Sequence, residues 1–193
     1  HPYLAGHSIQ GSVVVPVVLA LEWFSRIARS YRKDLHLESI MNLKVLCGIK
    51  LLNFENGGDR IIITCQQKDS LSGTSLALEI KGSSGRIYYS AQAKMVTDSQ
   101  SLSQPKRPAL DLRDWGEAPI YGDVLFHSDD FQVIEGINGI GANGISGTLN
   151  GVEKANWRWE DWNTDVAAMD GGLQMLLLWA RENMGGAAIP MAI

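Results

Sequence analysis

The sequence has little cysteine, no run of like charge and no long apolar stretch, and each shortage closes off a class of protein. Its two cysteines, Cys47 and Cys65, stand alone in apolar, strand-like runs with no CxxC or Cys/His spacing. Neither a disulfide framework nor a metal site is signalled, and both thiols read as small buried hydrophobes suited to a reducing, cytoplasmic setting. No cluster of Lys and Arg occurs in the 193 residues, and the formal net charge is −4. That balance lacks the footprint of a nucleic-acid binder. The longest apolar stretch, Val13–Leu21, is too short to cross a bilayer, and no signal peptide is visible, so no membrane is expected as a partner. The chain opens on His1 without a methionine and is expected to be a piece of something larger. Hydrophobic residues at 45% and charged residues at 20% suit a globular protein with a substantial core.

Val17–Tyr31 reads as a helix entered through Pro16 and closed by the polar cluster Ser30–Asp34. It is apolar nearly all round, as buried helices are. Strand signals follow at Leu43–Phe54, Arg60–Gln66, Ser75–Lys81 and Arg86–Met95, separated by Asn56-Gly57-Gly58-Asp59 and Ser83-Ser84-Gly85 turns. In the last, Ile87, Tyr89, Ala91, Ala93 and Met95 alternate with polar residues, the pattern of a half-buried antiparallel strand. A buried helix followed by antiparallel strands predicts an α+β hotdog, a curved sheet wrapped round its helix. After a Pro- and Ser-containing linker at 98–110, the second half repeats the ingredients. Strand-like pieces at Phe131–Ile137 and Gly144–Leu149 flank a Gly- and Asn-rich stretch that predicts bulges or tight turns. A helix at Ala167–Arg181 then stops at Gly185-Gly186. The expected organisation is a double hotdog, 1–97 and 111–193, the second apparently incomplete at its C-terminus because only about a dozen residues follow its helix.

Two motifs point to chemistry. His7-Ser-Ile-Gln-Gly11-Ser-Val-Val-Val-Pro16 sets a histidine on a loop just before a buried helix. A histidine there accepts a proton near neutral pH, and Gly11 allows close backbone approach to a ligand. Asp170-Gly-Gly-Leu-Gln174 places Asp and Gln one turn apart on one helix face. An Asp in an apolar helix needs a partner or a task. Burial raises its pKa, as an acid catalyst requires, and the nearby helix N-terminus opposes that shift. Of the other candidates, His1 and His36 read as solvated, and Trp157, Trp159 and Trp162 as packing residues.

HxxxGxxxxP followed by DxxxQ resembles the signature pair of double-hotdog dehydratase domains from polyketide and polyunsaturated fatty acid synthases. Tyr121-Gly122-Asp123-Val124-Leu125-Phe126-His127-Ser128-Asp129-Asp130-Phe131-Gln132 resembles the YGPxF and LFHGPxFQ segments of the same family. The chain departs from that pattern at Asp123, at Ser128-Asp129, and at Asp165-Val166, where the family has His-Pro. The Leu-Glu-Trp and Asp-Gly-Gly-Leu-Gln contexts lean towards polyunsaturated fatty acid synthases.

The resemblance implies dehydration of a 3-hydroxyacyl thioester carried on the phosphopantetheine of an acyl carrier protein, with no metal or nucleotide cofactor. His7 is the expected base and Asp170 the expected acid. The Gly11 amide would bond the thioester carbonyl, while Pro16, Tyr121, His127 and Gln174 support the site. The two motifs fall in different halves, so the site is expected where the halves meet, beside an apolar tunnel. Other domains of a megasynthase are the implied partners, and a homodimer is possible. A non-catalytic pseudo-dehydratase or acyl-binding scaffold, a hotdog thioesterase and a product-template cyclase stay open as alternatives.

Overall fold

The computed structural model describes residues 2–68, 74–98, 106, 108–122, 124–157 and 161–186. His1, Asp123, Trp159, most of the 98–110 linker and everything beyond residue 186 lie outside the described residues. In chain order the elements are a 3-10 turn at Pro2–Gly6, β1 (Ser8–Ile9), β2 (Ser12–Val13), α1 (Val17–Tyr31), β3 (His36–Val45), β4 (Ile61–Lys68), β5 (Thr74–Gly82), β6 (Ile87–Val96), a 3-10 turn at Asp129–Phe131, β7 (Ile134–Gly141), β8 (Gly144–Leu149) and α2 (Val166–Met184).

These elements group into two compact units that do not follow the expected division at 97. The described residues of His1–Val14 belong with those of Gln104–Ile189, and the described part of Val15–Ser103 forms the other unit. The reason is packing. Tyr3 stacks on Trp157 at 5.0 Å between ring centroids, and the Ser128 amide donates to the Gly6 carbonyl at 3.0 Å. The His7 segment is thus stitched to the second half of the chain.

In the Val15–Ser103 unit the four strands form one antiparallel sheet in the order β3-β6-β5-β4, and α1 packs against all four. Alternation decides the faces: Leu76, Leu78 and Ile80 of β5 and Tyr89, Ala91, Ala93 and Met95 of β6 are buried. From α1, Val18, Leu19, Ala20, Phe24 and Ala28 are buried with them. Each large side chain so buried contributes about 2 kcal/mol. Glu22 is also fully buried on this helix, paired with Arg26 at 2.7 Å. The expected strand Leu43–Phe54 is displaced. β3 starts at His36 and ends at Val45, while residues 52–57 turn and Leu52 is 81% exposed. As an edge strand with one wet face, β3 accommodates Glu38, Asn42 and Lys44, so an apolar run was the wrong guide to it. Cys47 and Cys65 are half-buried rather than core, since one lies in a bend after β3 and the other on edge strand β4.

In the other unit β7 and β8 pair as a hairpin with two register breaks, as the glycines and asparagines predict. α2 packs on both strands. Gly171 makes this close: a Cβ there would meet the Leu149 and Val133 side chains at 2.9 and 3.1 Å. The helix is longer than expected at both ends. Asp165 caps its start by accepting from the Ala168 amide at 3.0 Å, and Gly185 ends it in the left-handed conformation.

Candidate active site

All of the site's central side chains belong to one unit. His7 follows the Pro2–Gly6 turn and is pinned by its backbone on both sides. Its amide donates to Leu4, and its carbonyl accepts from Val14, both at 3.0 Å. Its Nδ1 lies 2.7 Å from the Val14 carbonyl. A carbonyl only accepts, so Nδ1 carries the hydrogen and Nε2 keeps the lone pair. The ring is buried, which pulls its pKa below the usual 6.5, while the bond to Val14 partly offsets that.

The hairpin after His7 turns at Gln10 and Gly11, with φ of 50° and 76°. Two positive φ values make the two-residue turn whose twist suits a β-hairpin, and glycine adopts its share without strain. Gly11 is exposed, and a Cβ there would meet nothing within 4 Å. Its conformation, rather than a crowded approach, is what demands glycine. Pro16 is buried as the residue before α1 and belongs to the other unit.

Asp170 sits in the second turn of α2, 3% exposed. Gln174, one turn on, donates from Nε2 to Asp170 Oδ2 at 2.7 Å and to the Phe131 carbonyl at 2.8 Å. Tyr121 in turn donates its hydroxyl to Gln174 Oε1 at 2.9 Å and accepts from the Ile134 amide at 2.7 Å. A chain of hydrogen bonds from the start of β7 therefore fixes the orientation of the carboxyl. Burial pushes the Asp170 pKa up from 3.8 to about 7, with the Gln174 bond pulling partly back.

His127 completes the cluster. Its ring stacks on Phe126 at 4.1 Å and lies 5.3 Å from the His7 ring, and its Nε2 is 3.8 Å from Asp170 Oδ2. Burial, and secondarily His7, press its pKa down to about 3. His7, His127 and Asp170 each offer one atom within 4.8 Å of the others. Two imidazoles and a carboxylate so placed also suit a divalent cation. Acid–base chemistry needs none.

The structure thus brings together His7, Asp170, Gln174, Tyr121 and His127. The rings of Phe126 and Phe131, each 5.1 Å from His7, form an apolar wall that the sequence did not single out. Tyr3 was missed too. Buried and stacked with Phe131 and Trp157, it anchors the segment before His7, and nothing local to Tyr3 signals partners so far along the chain. Trp157 is a core residue, and Trp162 is half-buried against it with Nε1 on the Trp157 carbonyl at 3.2 Å. His36 is exposed at the start of β3.

Two departures from the family pattern have structural counterparts. Asp129 takes φ 49°, a conformation closed to the proline that the resembled pattern has at this position. Asp165, besides capping α2, accepts from the Val152 amide at 3.1 Å and so ties the preceding loop to the helix.

No family model and no curated protein matches the chain. Solved structures do. The chain is similar to the bifunctional dehydratase-cyclase domain of ambruticin biosynthesis, with TM-score 0.67 and 17% identity, covering 100% of this chain and 68% of that one. It is similar to the dehydratase domain of a mycocerosic acid synthase-like polyketide synthase, with TM-score 0.67 and 14% identity over 100% and 68% of the chains. The dehydratase domain from the CurK module of curacin polyketide synthase gives TM-score 0.63 and 18% identity, over 100% and 70%. The chain has the α+β hotdog fold of polyketide synthase dehydratase domains.

Proposed function

We propose that the domain dehydrates a 3-hydroxyacyl thioester, presented on the phosphopantetheine of an acyl carrier protein, to the 2-enoyl thioester. The observation that carries this reading is a buried imidazole and a buried carboxyl that each offer an atom within 4.8 Å of the other, with burial shifting their proton affinities in opposite directions. Dehydration needs neutral His7 and protonated Asp170 at the same moment. With ordinary pKa values that form never exceeds about one molecule in 500. Here burial lowers His7 from 6.5 and raises Asp170 to about 7, and both shifts favour the reactive form near neutrality.

His7 Nε2 removes the proton alpha to the thioester. The freed electron pair forms the C2–C3 double bond, and the C3–O bond breaks. Asp170 gives its proton to the departing hydroxyl, which leaves as water. The proton then returns from His7 to Asp170 to reset the pair. We assign the Gly11 amide as donor to the thioester carbonyl, whose developing negative charge it would stabilise by about 3 kcal/mol. Phe126 and Phe131 give the reacting carbons an apolar wall. The host is a polyketide or polyunsaturated fatty acid synthase, whose other domains supply and consume the acyl chain. The cytoplasm is its compartment. Among the described residues no helix is long and apolar enough to cross a membrane.

The test is mass spectrometry of carrier-bound 3-hydroxyacyl substrates of several lengths after incubation with the domain. A loss of water is expected with wild type and not with His7→Ala or Asp170→Asn. Wild-type turnover no higher than that of the variants refutes the reading, and release of free thiol points to a thioesterase instead.

A further inference from the structure

His127 is a buried titratable group that the proposed steps leave without a task. Its Nδ1 is buried and has no hydrogen-bond partner among the described residues, and its Nε2 faces the Asp170 carboxyl. We propose that His127 is a positioning residue whose Nε2–H donates to the Asp170 carboxylate once that residue has given up its proton. The inference rests on the acid role of Asp170.

The tautomer follows from what each nitrogen meets. A buried N–H without an acceptor is costlier than a buried lone pair without a donor. Placing the hydrogen on Nε2 leaves a lone pair at the buried Nδ1 and aims the N–H at the Asp170 carboxyl, the acceptor it gains when that group ionises. The 3.8 Å gap is too long for a hydrogen bond to the protonated acid. A small rotation closes it when the oxygen becomes charged, and hydrogen bonds to ionised groups are shorter and stronger. Stacking between Phe126 at 4.1 Å and Phe131 at 6.3 Å keeps the ring in the plane that permits this. The ring stays neutral throughout the working range, since burial and the neighbouring His7 disfavour its cation. It therefore supplies a dipole without adding a charge that would drive the proton off Asp170 in advance. Among the described residues, the titratable groups facing Asp170 are His7, His127 and Tyr121, the last through Gln174.

The experiment follows the Asp170 carboxyl directly, by carbon-13 NMR titration of the whole chain in wild type, His127→Phe and His127→Gln. Phe keeps the ring and its stacking and removes the donor. Gln restores a donor. The Asp170 midpoint is expected to rise by about one pH unit in His127→Phe and to fall back part of the way in His127→Gln. With a 3-hydroxyacyl thioester, kcat is expected to drop about tenfold in the Phe variant with little change in KM, because the bond forms as the proton leaves. An unchanged midpoint in His127→Phe, or a Gln variant no different from Phe, overturns the proposal. So does a wild-type nitrogen-15 spectrum with the His127 hydrogen on Nδ1, a measurement that needs no variant to fold. Because the titration needs no turnover, an inactive wild type that shows the midpoint shift refutes the dehydratase reading and leaves the His127–Asp170 bond standing.

Discussion

Replacing Asp170 by Asn should make the protein more stable at alkaline pH while removing its activity. The carboxyl is almost wholly buried, and its pKa is raised from 3.8 to about 7. Below the unfolded value both states hold the proton, and the group is neutral to stability. As pH rises through the interval, the unfolded chain loses its proton first while the folded chain retains it, so folding becomes progressively less favourable. Above about 7 the cost is complete. At about 1.4 kcal/mol per pH unit it amounts to about 4 kcal/mol. The side-chain amide of the variant keeps an acceptor for Gln174 and has no proton to lose. Urea unfolding followed by tryptophan fluorescence, for wild type and Asp170→Asn at pH 4 and pH 8, isolates this term. His7 and His127 also titrate, with the opposite sign, but they are common to both proteins and largely cancel in the difference. The variant should gain about 4 kcal/mol relative to wild type between the two pH values. A difference that is the same at both pH values, within about 1 kcal/mol, refutes the claim that Asp170 is held protonated by burial.

The pH profile of kcat/KM should be bell-shaped and peak on the acid side of neutrality, rising as His7 loses its proton below 6.5 and falling as Asp170 ionises near 7. A plateau running to pH 9 would contradict it. Tyr121→Phe removes the hydroxyl linking the Ile134 amide to Gln174, and should cost about 2 kcal/mol of stability in denaturant titrations and slow turnover. Gly6→Ala drives a Cβ into the Ser128 carbonyl, so the His7 loop must shift; turnover should fall by about tenfold or more with little change in circular dichroism. Trp157→Ala empties the ring stack under Tyr3 and should cost about 4 kcal/mol in unfolding experiments. Exhaustive chelation should leave turnover unchanged, and its loss would assign the His7–His127–Asp170 cluster to a metal instead.

The helices and most strands were legible because their signals are local. Val17–Tyr31 needs only its apolar composition and polar ends, β5 and β6 only their alternation, and α2 only its apolar body and terminal glycines. β3 was misplaced because an edge strand's solvated face weakens the apolar pattern, while Leu51 and Leu52 imitate a strand beside a turn. The motif pair His7 and Asp170 was readable as two separate residues on a loop and a helix. Sequence alone determined their types, their order and the one-turn spacing of Asp170 and Gln174, since these depend on near neighbours and helix geometry. Only the tertiary structure decided that the described residues up to Val14 pack with the second half, that His127 joins His7 and Asp170, and that the carboxyl is dry enough to keep its proton. Burial and proton affinity are set by residues distant in the chain, here Phe131, Tyr121 and the His7 loop, and no local pattern encodes them.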